Sequence, residues 1–409
     1  MVQVKDLTEL TLEDLWREVK WQSEDLWREV KWQSEDWWEE IEASQLRVVK
    51  AILEGSLEEE LVAQLEAGRY KRTKSRRSYR NGHYERSFST KYGVIKALRV
   101  PRARESYPSE VLPRYRRRQE QVDRMIREMF LSGVSTRRVG EVLATVRGEK
   151  VSPQTVSRIL RGLDREVQLF WQRPLADIYP YLFLDGISLK VKGAVGRYRR
   201  QILCAYGIRR DGKREVISFR QGTDESEAKW EAFLRDLYDR GLVGQKMRLI
   251  TTDGCPGLHR ALDTVYPYVH KQRCWAHKLR NVANRLPKRD QKDCIKQAAL
   301  IYQAENRREA VKRYREWESQ WQQRYPQAVG CLQKDLDELL TFMDVPAGHR
   351  VKVRTTNVIE RSFREVRRRT RPVSCFTNAA SVNRIIYGVI SHLNRTWKEK
   401  PLPEFTQES

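Results

Sequence analysis

The chain has 409 residues, enough for two to four domains and at least one sizeable core. Lysine and arginine number 79 against 55 aspartates and glutamates, a formal charge of +24, and the charge is unevenly placed: residues 1–66 hold 7 basic and 18 acidic side chains, leaving 72 basic and 37 acidic for the rest. A basic body of this kind points to a polyanion partner, against the plainer alternative of a solvated cationic surface. With no signal peptide, no apolar run of membrane-spanning length and six scattered cysteines (Cys204, Cys255, Cys274, Cys294, Cys331, Cys375), the sequence excludes membrane and disulfide-framework classes and predicts a reduced, cytoplasmic protein.

Residues 1–66 read as an acidic helical arm. The 11-residue unit EDLWREVKWQS occupies 13–23, recurs unchanged at 24–34, and begins a third time at Glu35. Eleven residues make close to three helical turns, so Trp16, Trp27 and Trp38 fall on one stripe. A recent in-frame duplication accounts for the repeat; an oligomerisation arm, giving a homodimer or higher oligomer, accounts for the tryptophans.

Residues 67–118 are strongly basic. Asn81-Gly82 is read as a turn, YGVIKALRVPRAR as a short strand, and tyrosines interleave with the arginines, a pattern suited to phosphate contact and stacking. Arg76, Arg77, Arg80, Arg116 and Arg117 are the candidate contacts here, with a disordered basic linker as the alternative. Residues 119–170 read as three helices, the second capped by Ser135 and the third, over 153–168, by Ser152 with Pro153 in its first turn. Two short helices and a capped helix offering Gln154, Thr155, Ser157, Arg158 and Arg161 outward suggest a helix-turn-helix, although an ordinary three-helix bundle reads similarly.

Over 175–272 the hydrophobic period shortens. YLFLDGISLKVK is strand-like, and two further strands meet at Asp211-Gly212; a helix closed by Gly241, a strand ending at Asp253, a short helix and a fifth strand, YVHKQRC, follow. Three antiparallel strands, helix, strand, helix, strand is the element order of an RNase H-like fold, where the first and fourth strands lie side by side in parallel. Residues 273–350 turn helical, as an insertion, and 351–400 resume with the segment RTTNVIERSFREVRRRTRP and a further helix.

Three carboxylates suit the two-cation chemistry of phosphodiester cleavage, in which oxygen-seeking Mg²⁺ ions sit about 3.5–4 Å apart. Asp185 is the one charge in an apolar strand core; an edge-strand aspartate facing solvent is the alternative. Asp253 ends a strand, where ligands gather in open α/β sheets, and is otherwise a turn residue. Glu360 is placed by helical phase: Ile359, Phe363, Val366 and Thr370 share the buried sector, Glu360 sits at its rim between Arg364 and Arg367, and Glu365 points away. The bland alternative is an i,i+4 pair of Glu360 with Arg364, worth about 0.3–0.5 kcal/mol. Arg364, Arg367 and Arg368 are candidate DNA contacts.

RSYRNGHYERS, LSGVSTRRV, DGISLKVK, QRCWAHKLRN and VRTTNVIERSFREVRRRTR together resemble the Mutator-type family of bacterial insertion-sequence transposases over about 70–397. The resemblance implies an RNase H-like catalytic core with a helical insertion before the catalytic glutamate, and a DDE triad falling on Asp185, Asp253 and Glu360, which are separated by 68 and 107 residues. It also implies a Cys-x2-His motif, Cys274 and His277, for which a hydrogen-bonding role and structural zinc are both open. Cys255 and the 11-residue repeat depart from the family pattern.

The expectation is therefore a multidomain α/β plus all-α chain, with helical and helix-turn-helix DNA-binding regions ahead of the catalytic core. It would act as a DNA transposase dependent on Mg²⁺, with Mn²⁺ substituting, on double-stranded DNA of transposon ends and target. It would use no small-molecule substrate and work at the bacterial nucleoid. A catalytically silent DNA-binding regulator and an RNase H-like nuclease without strand transfer are the alternatives.

Overall fold

The computed structural model describes residues 34–148, 150–192, 196–370 and 378–406. Trp16, Trp27 and Cys375 lie outside them, so the tryptophan stripe is represented by Trp38, which is 59% exposed. The chain divides into two compact units, Met1–Ile159 and Leu160–Ser409. Among the described residues no helix is long and apolar enough to cross a membrane.

In the N-terminal unit, helix α1 (Ser34–Leu65) packs on an antiparallel hairpin of β1 (Arg80–Thr90) and β2 (Gly93–Ala103). Leu57 of the helix, Phe88, Ile95, Leu98 and Val100 of the hairpin, and Leu112 beyond it form one apolar core, so the basic segment is ordered. Asn81-Gly82 is not a turn between elements. It lies inside β1, where Gly82 takes φ +68° and the register slips between Arg80 and His83; a left-handed glycine can turn a strand residue into a bulge as readily as into a hairpin loop. The chain reverses at Lys91-Tyr92 instead, and Pro101 is tolerated in β2 because both strands of a two-stranded sheet are edges.

Helices α2 (Glu120–Leu131), α3 (Thr136–Arg147) and α4 (Pro153–Arg161) follow. Both serine caps form: Ser135 Oγ accepts from the Arg138 N–H at 3.3 Å and Ser152 Oγ from the Thr155 N–H at 3.2 Å. Gly140 lies so close to the Val151 carbonyl that any side chain there would strike it, which draws α3 against the turn before α4. The single helix expected over 153–168 is interrupted at Gly162, the poorest helix former in its interior, and resumes as α5 (Leu163–Gln172).

The second unit is built on a five-stranded sheet of β3 (Tyr181–Lys192), β4 (Arg197–Ile208), β5 (Arg214–Gly222), β6 (Leu249–Thr252) and β7 (His270–Arg273), in the order β5-β4-β3-β6-β7. The first three strands are antiparallel, β6 pairs with β3 in parallel, and β7 with β6 in parallel. Helices α6 (Glu227–Asp239) and α7 (Pro256–Val265) cover one face: Trp230, Phe233, Leu234 and Leu237 with Leu258, Ala261 and Leu262 bury Leu182, Leu184, Leu203, Ala205, Ile217 and Ile250.

A helical stretch comprises α8 (Trp275–Ala283), α9 (Lys288–Ile301), α10 (Arg307–Trp321), α11 (Pro326–Gln333), α12 (Leu336–Leu340) and a 3-10 turn, Thr341–Asp344. Then α13 (Ala347–Val353), α14 (Asn357–Thr370), α15 (Ala379–Lys398) and α16 (Pro403–Thr406) return to the sheet. Tyr181 donates to or accepts from His349 Nδ1 at 2.8 Å, and the Thr251 hydroxyl donates to the Val353 carbonyl at 2.7 Å. Asn394 of α15 meets both backbone polar groups of Val216, at 2.9 and 3.0 Å, closing part of the open edge of β5.

Candidate active site

Parallel pairing of β3 with β6 sets Leu184 opposite Thr252 and ends there. The next residues, Asp185 and Asp253, therefore leave the pairing side by side. Strand alternation turns Leu184 into the apolar layer under α6 and α7 and Asp185 to the opposite face. Asp185 is 7% exposed, beneath the α14 side of the sheet, with Cys204 as its cross-strand neighbour. Its Oδ1 accepts the Gly186 N–H at 2.8 Å, and among the described residues it makes no ion pair. Burial pushes its carboxyl up to about 7; the Asp253 charge, and more weakly Glu360, add to the rise, while His277 and the Gly186 N–H oppose it. Asp253 Oδ1 accepts the Cys255 N–H at 3.0 Å across a turn in which Gly254 takes φ +92°.

Glu360 lies in the first turn of α14. Ile359, Phe363, Val366 and Thr370 are buried, as the helical phase required, joined by Ser362 and Arg369. Glu360 is half-buried at the rim, with Oε1 3.4 Å from His277 Nε2 and 3.9 Å from Arg280. Its ion partners therefore come from α8; Arg364, the i,i+4 candidate, stands exposed. Glu365 is half-buried too but is taken up by its own helix. Its hydrogen bond from Arg369, reinforced by Arg368 at 3.0 Å, holds its carboxyl below the usual range.

Cys274 and His277 tie this arrangement to the strand that precedes α8. Cys274 is fully buried, and its Sγ accepts from the Thr356 N–H at 3.2 Å and the Thr356 hydroxyl at 3.4 Å. Burial pushes its thiol up, but the hydrogen bonds from His277 and Thr356 prevail and hold it below the ordinary value. His277 Nδ1 lies 3.3 Å from the Thr356 hydroxyl. Its hydrogen bond with Cys274, then the charges of Cys274, Asp185 and Asp253, outweigh desolvation and push the imidazole up to about 9, so it is cationic at neutral pH. Thr356, just before α14, thus binds the Cys-x2-His motif to the glutamate helix, a role that nothing in its sequence context signals.

Among the described residues no three His, Cys, Asp or Glu side chains converge on a single point as a ready-made cation site. The donor chemistry still fits a hard divalent cation. Two aspartates emerge side by side, one of them buried and held against ionisation by the other, and a cation between them would relieve that repulsion. Glu360 stands off toward His277 and is linked to the pair through its charge.

The candidate DNA contacts divide between the units. In the N-terminal unit Arg77, Arg116, Arg117, Gln154, Ser157 and Arg158 are exposed and Thr155 half-exposed. Arg76 is half-buried and donates to the Lys71 carbonyl at 2.6 Å. Arg80 is half-buried and ion-paired with Glu58 of α1, a partner outside the basic segment; Arg77 and Arg116 also have acidic partners, Glu66 and Glu120. Arg161, Arg364, Arg367 and Arg368 are exposed in the second unit.

Comparison with known proteins gives a consistent result. The family model described as transposase, Mutator family, matches residues 23–400. The chain is 33% identical over 353 residues to the transposase for insertion sequence element ISRM5 of Rhizobium meliloti (strain 1021), covering 86% of this chain and 88% of that one. It is 36% identical over 333 residues to the transposase for insertion sequence element IS406 of Burkholderia multivorans (strain ATCC 17616 / 249), covering 80% and 84%. To the transposase for insertion sequence element IS256 in transposon Tn4001 of Staphylococcus aureus it is 33% identical over 359 residues, covering 86% and 90%.

Proposed function

The chain belongs to the Mutator family of transposases, and from that premise we propose that it binds the terminal inverted repeats of an insertion sequence and carries out both strand cleavage and strand transfer at Asp185, Asp253 and Glu360. The observation that carries this reading is the register of β3 and β6, whose pairing ends at Leu184 and Thr252 and so sets Asp185, within β3, beside Asp253, just past the end of β6, although the two are 68 residues apart in sequence. We read the sheet order β5-β4-β3-β6-β7 as RNase H-like, with residues 273–350 as its helical insertion.

Two phosphoryl transfers use one set of carboxylates. Water attacks a phosphodiester at the element's end and a 3′-OH leaves. That 3′-OH then attacks a target phosphodiester, and the target's own 3′-oxygen leaves with the proton. Bound Mg²⁺, or Mn²⁺ in its place, would supply positive charge to polarise the phosphate and lower the pKa of the attacking hydroxyl. Asp185 and Asp253 would hold that cation between them, with Glu360 as the third carboxylate. Cationic His277, fixed by Cys274 and Thr356, keeps Glu360 turned toward the sheet and offsets the negative charge gathered there. Exposed Arg364 and Arg367 on the same helix suit the DNA backbone beside the scissile bond.

The exposed arginines around the hairpin and the exposed face of α4 would read the terminal repeats. Since two ends must meet before joining, the active unit would contain at least two protomers. The test is incubation of the full chain with DNA carrying the element's ends and a target plasmid, in Mg²⁺ or Mn²⁺. Cleaved ends and joined product are expected. Binding without cleavage would point to a regulator, and cleavage without joining to a nuclease.

A further inference from the structure

Glu225 lies in the polar loop between β5 and α6, one acid among several in TDESE. Its carboxylate rests directly against the bare Cα of Gly186, the residue after Asp185. A Cβ at position 186 would collide with the Glu225 carboxylate, whose Cδ would stand only 2.9 Å from it. The loop is held in place by the segment that carries Asp253. The Cys255 thiol reaches the Glu225 carbonyl at 3.6 Å, and Gly257, at the start of α7, is packed so closely on the backbone of residues 225–227 that a Cβ would come within 2.8 Å of the Glu225 carbonyl oxygen and the Glu227 nitrogen. Glu225 is half-buried, and among the described residues it has no cationic partner. Burial first, and the charge of Asp253 second, raise the carboxyls of both Asp185 and Glu225.

We propose that Glu225 is a fourth carboxylate of the cutting site, an oxygen ligand sharing the divalent cation with Asp253, and that position 186 is glycine because its bare Cα is the seat of the Glu225 carboxylate. This rests on reading the site as the cation-dependent cutting centre. It gives Cys255 a function, anchoring the backbone of Glu225. It also explains a carboxylate left half-buried without a cation of its own: the group that offsets it is the one the site binds.

The test is Mn²⁺ binding to the full chain by titration calorimetry, independent of catalysis, alongside Mn²⁺-dependent cleavage of end DNA. Glu225→Gln keeps the shape and removes the charge; affinity for Mn²⁺ should fall at least about 10-fold, the loss seen when residues supporting a metal site are removed. Gly186→Ala should do the same through displacement. Since only the flexible tip of Glu225 is struck, the carboxylate can swing away while the fold persists, as thermal melting of each variant would verify. The double variant should be no weaker than Glu225→Gln alone, because both changes remove one ligand. Glu227→Gln, two residues on and paired with Arg260, should bind Mn²⁺ as wild type does. Unchanged Mn²⁺ affinity in a folded Glu225→Gln variant would overturn the proposal, as would losses that multiply in the double variant. If the wild type neither bound Mn²⁺ nor cut DNA, the reading of the whole site would fall. If it did both and Asp185→Asn abolished them while Glu225→Gln did not, only the fourth carboxylate would.

Discussion

In the N-terminal unit Arg77, Arg116, Arg117 and Arg158 are exposed on the segments flanking the hairpin and on a short helix, whereas in the second unit Asp185 is 7% exposed and its ionisation is opposed by burial and by Asp253. Exposed cations are screened within about 10 Å at ordinary salt, so each adds a small and nearly independent increment to the attraction of a polyanion. Buried carboxylates interact strongly and cannot replace one another. A binding surface of the first kind should fail gradually under substitution, and a site of the second kind abruptly.

The largest effect separating the two regions should come from Asp185→Asn and Asp253→Asn. Each is expected to reduce cleavage of end DNA by about 100-fold to 1,000-fold, as the loss of a group acting on the transition state does, with end binding by gel shift unchanged. A variant that lost binding as well would mean that the carboxylates do not act separately from the DNA-reading surface. Next is the pH dependence of stability without cation or DNA. Asp185 keeps its proton up to about 7 in the folded chain, whereas an unfolded aspartate ionises near 4. The folded state therefore binds the extra proton, and stability falls as pH rises from about 4 to about 7 and stays low above that. Asp185→Asn removes the fall, so its melting temperature should exceed the wild type's by several degrees at pH 8 and match it at pH 4. A constant difference across pH would contradict the buried, repelled carboxyl. The smallest effects should come from the arginines. Arg117→Ala and Arg158→Ala should each weaken end binding only several-fold and reduce the slope of log affinity against log salt by about 0.9 for each phosphate no longer neutralised. A slope unchanged by both would remove these residues from the interface.

The two regions also differed in how far they could be read. The sheet was legible because alternation and the Asp211-Gly212 turn are local, and a charge inside YLFLDGISL stands out against its neighbours. Glu360 was separable from Glu365 because helical phase depends on spacing alone. Glu225 was not legible: it sits in a loop with no period, beside Asp224 and Glu227, and only the close approach to Gly186 distinguishes it. The partners of Glu360 were equally hidden, since His277 lies 83 residues away in sequence and the visible neighbour was Arg364. In the basic segment Asn81-Gly82 misled because the same dihedral serves a turn or a bulge, and the ion partner of Arg80 was hidden because Glu58 belongs to a helix outside the segment.

The most direct test of the proposed catalytic site compares two glutamates of one helix, Glu360 and Glu365, by Mg²⁺-dependent nicking of inverted-repeat end DNA. They share sequence context and partial burial, but Glu360 faces His277 and the aspartates while Glu365 is held by Arg368 and Arg369. Glu360→Gln should leave no nicked product above background with end binding intact, and Glu365→Gln should cut within about twofold of wild type, as substitutions of paired, partly exposed charges do. Normal cutting by Glu360→Gln, with cutting lost in Glu365→Gln, would contradict the account.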